Sequence, residues 1–201
     1  MNKKIMTVAL LLLTFTYVNL QATITPLHQA ARNGDCNEIA HLVESGAYDV
    51  NVQHNGCDDA DNATPLHHAA ATGNYECVEM LLALDADVHA VTKQGATPLH
   101  CAAANGHVKC MRMLLMNGAD INAKADDSWT PIFSAVGHGQ AESLKELLFH
   151  GAIAHEYDTD GYSLLRVAHE RYEAGKISKE CLTILLKHEC EFLRSKTQAS
   201  L

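Results

Sequence analysis

Apolar residues recur along this chain in short stripes at helical spacing. Between 97 and 129 the first stripe is Leu99, Ala102 and Ala103, and the second is Cys110, Met111, Leu114 and Leu115. Residues that recur in this way share one face of a helix. The spacing predicts a helix opening at Pro98 and ending at Asn105-Gly106, then a second from about His107 to Met116, ended by Asn117-Gly118. Thr97 is a good N-cap, because its hydroxyl can accept from a free amide of the first turn. Pro98 loses nothing at the first helical position, where its missing N–H has no partner anyway. Gly106 and Gly118 are free to take the left-handed conformation that closes a helix. Ala119 to Ala123 then leads out into an extended turn. Helices of two or three turns are marginal in water on their own, so these apolar faces need neighbours.

The same layout repeats. Thr-Pro-Leu-His stands in full at Thr25–His28, Thr64–His67 and Thr97–His100, and in degenerate form as Thr-Pro-Ile-Phe at Thr130–Phe133. The starts at 64, 97 and 130 are 33 residues apart, while the first interval is 39, an insertion of six. A fixed period in this range implies a stacked array of small units. The pattern Thr-Pro-Leu-His-x-Ala-Ala-x-x-Gly, two leucines, then Gly-Ala-Asp-x-Asn-Ala resembles the ankyrin repeat. Thr97 to Ala123 matches at nearly every position. Thr64 to Ala90 departs at Asp85, where the family prefers glycine, and at His89, where it prefers asparagine. Thr25 to Val52 matches with Gly34, Gly46 and Ala47, and Thr130 to Ala154 is looser. Ser163 to about Leu193 is a degenerate unit, with Leu185-Leu186 as its leucine pair and about five extra residues around Glu173 to Lys179.

The resemblance implies an all-α solenoid of about five helix-turn-helix repeats, spanning 25–63, 64–96, 97–129, 130–162 and a capping unit at 163–194. It further implies antiparallel helix pairs with projecting β-turn fingers. Fingers and first helices make a concave face that binds proteins and, with few exceptions, carries no catalysis. Thr64, Pro65, His67, Thr97, Pro98, His100, Gly106 and Gly118 are the motif residues expected to build the scaffold. His28, His67 and His100 are expected to hydrogen-bond between adjacent fingers and helices.

The ends and the charge change the picture. Lys3 and Lys4 precede an apolar stretch, Ile5 to Val18, and Leu20-Gln21-Ala22 offers a small residue before a cut. This is the layout of a secretory signal peptide over 1–22, leaving 23–201 as the mature domain. Fourteen residues containing Thr14 and Thr16 fall short of a spanning helix of about 20. With no cysteine near the cut, the lipid anchor of a bacterial lipoprotein is not expected either. The lysine-led segment looks bacterial, so a periplasmic or secreted monomer with no stable membrane anchor is expected. Removing the segment leaves 13 basic and 24 acidic residues, a charge of −11, which argues against nucleic acid and anionic membrane as partners. None of the seven cysteines forms a CxxC pair. Cys77 and Cys110 recur at one repeat position that wants an apolar side chain, and read as core. Equivalent positions one repeat apart stand at about the helix packing distance of 10 Å, too far for a disulfide.

Recognition residues are sought where the repeats differ. Trp129 and Tyr162 precede repeat threonines at the fingers, where Ala63 and Ala96 stand earlier, and aromatics at exposed tips act as interface anchors. The alternative is that they pack on a neighbouring finger. Asp126, Asp127 and Asp160 would make this half of the finger row negative. The pair before each helix-ending glycine should face the groove: Arg32-Asn33, Ala71-Thr72, Ala104-Asn105, Gly137-His138 and Glu170-Arg171. His138, Arg171, Asn105 and Lys93 complete the candidate protein-binding set. The insertion through Gln53 to Ala63 reads as a tolerated loop or an acidic contact finger. Asp58, Asp59 and Asp61 lack the glutamate of an EF-hand calcium loop. No HExxH, zinc-finger, GxSxG or P-loop spacing appears, so no cofactor or metal is expected. One enzymatic alternative uses Cys101 as a thiolate activated by His68, one repeat away. The reading is a non-catalytic protein-binding module that inhibits or protects a resident protein, as an immunity protein does. The alternatives are a secreted effector on a host protein or a structural scaffold.

Overall fold

Each repeat opens where a threonine or serine meets a proline or leucine. In the computed structural model, which describes residues 24–54, 62–155 and 158–199 with the side chains of 127, 198 and 199 excepted, ten α-helices follow one another in five antiparallel pairs. They are α1 Pro26–Asn33, α2 Cys36–Glu44, α3 Pro65–Thr72, α4 Tyr75–Ala83, α5 Pro98–Ala104, α6 Val108–Met116, α7 Pro131–Gly137, α8 Ala141–Phe149, α9 Leu164–Glu173 and α10 Lys179–Ala199. The odd-numbered helices stack on one another as an inner row and the even-numbered ones as an outer row. The extended backbone of Thr25, Thr64, Thr97, Thr130 and Ser163 precedes the inner helices. Charged pairs lace the outer row. Arg112 donates to both carboxylate oxygens of Glu146 at 2.6 and 2.7 Å, and Lys145 reaches Glu180 at 2.8 Å.

The core is the seam between the rows. Leu27, Leu66, Leu99, Ile132 and Leu164 are fully buried at equivalent positions, as are Leu81, Leu114 and Leu147 on the outer helices. Cys77 and Cys110 are buried as expected. The small residues Ala69, Ala70, Ala102, Ala103 and Ala135 line the inner row and let its helices approach closely. At Gly73 the approach reaches its limit. A Cβ there would stand 2.5 Å from His107 Nδ1, and the backbone φ of +79° is strained for any other residue. His107 is the first cap of the next outer helix, and its Nε2 meets the carbonyl oxygen of Ala71 at 3.1 Å. Asn74 does the same one repeat earlier, donating to the carbonyls of Ala31 and Arg32. The second and third repeats thus satisfy open carbonyls at the end of the preceding repeat's inner helix.

The fingers also follow the 33-residue period. Asn62, Gly95, Ser128 and Gly161 all hold positive φ, between 58° and 76°. This is the residue before each return arm. Asp85, where the repeat pattern prefers glycine, keeps the glycine-like backbone at φ 63°. The terminal unit differs from the expected span: α10 runs for 21 residues against nine in the other outer helices and continues to Ala199. Among the described residues no further helix packs on its far side, and Leu186 and Leu193 are exposed.

Candidate functional site

Two grooves lie between the fingers and the inner helices. The larger, about 490 Å³, is lined by Trp129, Asp158, Asp160, Tyr162, Val167, Glu170, Arg171, Ala174 and Lys176. Four sequence candidates, Trp129, Tyr162, Asp160 and Arg171, meet there. The aromatics do not stand at the tips. Residues 126–128 make a tight 3-10 turn at the tip of the third finger, and Trp129 lies on the return arm, its carbonyl accepting from Ala125 N–H at 2.8 Å. Its ring is half-buried, tilted against Phe133 at 6.1 Å and laid over Gly137. A Cβ on Gly137 would come within 2.9 Å of that ring. Gly137 is therefore covered by Trp129 instead of facing a partner.

Tyr162 holds the same place one repeat later. Arg166 stacks its guanidinium on the ring at 3.8 Å, a cation–π contact that fixes the ring's orientation. Asp158 Oδ1 accepts from the backbone N–H groups of both Asp160 and Tyr162, so this acid is consumed in shaping the finger. Asp160 stays exposed at the tip, and Arg171 is half-buried on the groove floor. Asp126 is exposed, and its backbone N–H donates to Gln94 O at 2.8 Å, tying two fingers together. The Asp127 side chain lies outside the described residues, as do 55–61 with Asp58, Asp59 and Asp61.

The remaining candidates stand elsewhere. His138 is exposed at the end of α7, with Nδ1 on Ser134 O at 2.9 Å. Asn105 folds its amide back on Cys101 O at 2.8 Å, and Lys93 is exposed on the second finger.

The smaller groove, about 300 Å³, is lined by Ala63, His67, His68, Ala71, Thr92, Gln94, Ala96 and Cys101. It holds both members of the thiol–imidazole alternative. Burial pushes the Cys101 thiol up to about 11 and, with His54 and Arg32 adding smaller repulsions, the His68 imidazole down to about 4. Among the described residues His68 Nε2 has no hydrogen-bond partner. Both shifts favour the neutral thiol and the neutral imidazole.

The motif histidines tie neighbouring repeats together, and His67 also lines the smaller groove. Thr64 donates its backbone N–H to His67 Nδ1 at 3.1 Å, with its hydroxyl at 2.9 Å from the same nitrogen. An N–H can only donate, so Nδ1 accepts and the proton sits on Nε2, which donates to Ala96 O at 3.0 Å. His28 reaches Ala63 O and His100 reaches Trp129 O in the same way, at 3.0 and 3.1 Å. Each imidazole fastens one repeat's inner helix to the return arm of the next finger. Burial in these sites lowers His28 and His67 to about 4, and lowers His100 as well.

Comparison with protein families bears on this arrangement directly. The model "Ankyrin repeats (3 copies)" matches residues 1–92 and 27–125, and "Ankyrin repeats (many copies)" matches 107–148. The chain belongs to the ankyrin-repeat family. It is 40% identical over 63 residues to human ankyrin repeat domain-containing protein 49, covering 31% of this chain and 24% of that protein. Over 69 residues it is 36% identical to a transient receptor potential cation channel subfamily A member 1 homolog of Caenorhabditis elegans, 34% of this chain and 5% of the channel. The 2-5A-dependent ribonuclease of Mus musculus is 37% identical over 69 residues, 34% of this chain and 9% of the ribonuclease. The chain thus spans under a quarter of each of these relatives. Ankyrin repeats generally mediate protein–protein interaction and are typically non-catalytic. Among the described residues no helix is long and apolar enough to cross a membrane.

Proposed function

We propose that this ankyrin-repeat chain is an exported binder that recognises one protein partner through the groove framed by Trp129 and Tyr162, and acts by occluding or protecting that partner. The observation that carries the reading is the convergence of two oriented aromatic rings, Arg171 and Asp160 on one open surface of about 490 Å³. Ring faces fixed by Phe133 on one side and Arg166 on the other supply contact area with little ordering cost on binding. Aromatic and arginine side chains in such a setting dominate binding energy. The acidic balance of the chain favours a partner surface that is basic. Export rests on the signal-like layout of residues 1–22, and a bacterial periplasm or the extracellular medium is the proposed location.

The test is affinity capture from the source cells and their medium with residues 23–201 as bait, run beside the Trp129→Ala/Tyr162→Ala variant. The reading expects a stoichiometric protein held by the parent and lost by the variant, with both baits showing the same helical circular dichroism. Equal capture by both would remove the groove from the account.

A further inference from the structure

Sulfur contact across the first repeat boundary was not legible from repeat positions. Cys36 is the first residue of α2 and Cys77 the third of α4, so they occupy different places in their repeats. Their sulfurs nevertheless stand 2.8 Å apart, although 41 residues separate them in sequence. That gap lies between a covalent S–S bond of about 2.05 Å and ordinary non-bonded contact. Cys77 is fully buried, while Cys36 is half-buried and open on one side.

We propose that Cys36 and Cys77 form a disulfide that staples the first repeat to the second. The oxidant is a low-molecular-weight disulfide of the glutathione class. The accessible Cys36 thiol loses its proton and attacks one sulfur of that disulfide, expelling one thiolate and leaving a mixed disulfide on Cys36. Cys77 gives up its proton and attacks the Cys36 sulfur, which expels the second thiolate. The two cysteine thiols are oxidised, the external disulfide is reduced to two thiols, and the two protons released reprotonate them.

Several features point the chemistry this way. The order of attack follows access, since burial, the Cys36 contact and the nearby Glu76 and Asp35 carboxylates push the Cys77 thiol up to about 12. Cys77 therefore resolves a mixed disulfide and does not start the reaction. The first repeat also has most to gain. It has one neighbour only among the described repeats, and end units of a linear array fray first. An exported chain would meet oxidising thiol buffers in which such a bond persists. The staple does not depend on the Trp129 groove, and the two fail separately.

The experiment treats residues 23–201 with oxidised glutathione, quenches free thiols under denaturing conditions, and maps the peptides by mass without reduction. The proposal expects a peptide pair joined through Cys36 and Cys77, two hydrogens lighter than its parts. It also expects a thermal midpoint raised by about 10 °C for a closed loop of this length, reversed by reductant. Cys36→Ser and Cys77→Ser should each abolish both effects. The mass map is read on the unaltered chain, so its result stands even if a variant folds poorly. Both thiols found alkylated after oxidation, or Cys36 joined to a different cysteine, would overturn the proposal.

Discussion

The first three repeats and the fourth fasten themselves to the next finger by different means. In the first three a buried neutral imidazole gives Nε2–H to the carbonyl of Ala63, Ala96 or Trp129. Each of these carbonyls also accepts a backbone N–H from within its own finger. In the fourth, Phe133 replaces the imidazole, fully buried against Trp129. Among the described residues its threonine, Thr130, has a buried hydroxyl without a partner, and the equivalent Tyr162 carbonyl accepts the local bond from Asp158 N–H in place of a latch. Where the polar latch ends, the aromatic groove begins. A histidine latch needs a carbonyl oxygen within reach of Nε2, whatever side chain that residue carries, whereas Phe133 gives Trp129 a flat apolar surface to lie on. The difference teaches that the repeat's most characteristic side chain was exchanged at the place where the proposed binding surface is built.

The largest way to break this comparison is to empty the fourth latch. Phe133→Ala removes a fully buried ring and should cost about 3–5 kcal/mol in urea unfolding. Phe133→His restores the motif residue, offers Thr130 a partner and reaches toward Tyr162 O. It should remain within about 1 kcal/mol of the parent while loosening Trp129. Equal losses in the two variants would mean that the fourth site cannot accept the latch.

Acid separates the two kinds of repeat next. The latch imidazoles are held neutral in the folded chain, lowered from 6.5 to about 4 at His28 and His67, and take up protons freely once unfolded. The unfolded chain then binds more protons below pH 6.5. Stability is complete above about that pH and falls as the pH drops toward about 4. Denaturant midpoints across this window should shift steadily downward, and less so in His67→Phe. A flat profile between pH 7 and 4 would contradict the neutral tautomers of the latch.

A smaller effect is expected at Ser128. It holds the left-handed backbone at φ 58° where Gly95 and Gly161 stand in the neighbouring fingers. Ser128→Gly should stabilise the chain by about 1 kcal/mol, read as a higher thermal midpoint. No gain would show that the serine's backbone is unstrained in its finger.

Much of the scaffold was legible in the sequence because local rules agree with the fold there. Thr64-Pro65 and Thr97-Pro98 announce helix starts, Gly106 and Gly118 announce ends, and leucines at helical spacing mark the buried seam. The long α10 was not legible, since no glycine or proline follows Lys179 to say where it stops. The groove was legible only in part. The 33-residue period places Trp129 and Tyr162 at one position, and the pair before each helix end places Arg171 on the inner row. Period alone does not reveal side-chain direction, so the packing of Trp129 over Gly137 and the stacking of Arg166 on Tyr162 emerge only in the folded chain. The Cys36–Cys77 contact escaped for a similar reason, because it joins unlike positions of consecutive repeats.

The central claim is that binding belongs to the groove of the aromatic repeats and not to that of the histidine repeats. The most direct measurement is a calorimetric titration of the captured partner against Trp129→Ala/Tyr162→Ala and, separately, Ala71→Arg, which fills the smaller groove. The account predicts a loss of affinity of 100-fold or more, about 3 kcal/mol, for the first variant and little change for the second. Unchanged affinity in the aromatic variant with loss in Ala71→Arg would contradict it and move recognition to the groove of His68 and Cys101.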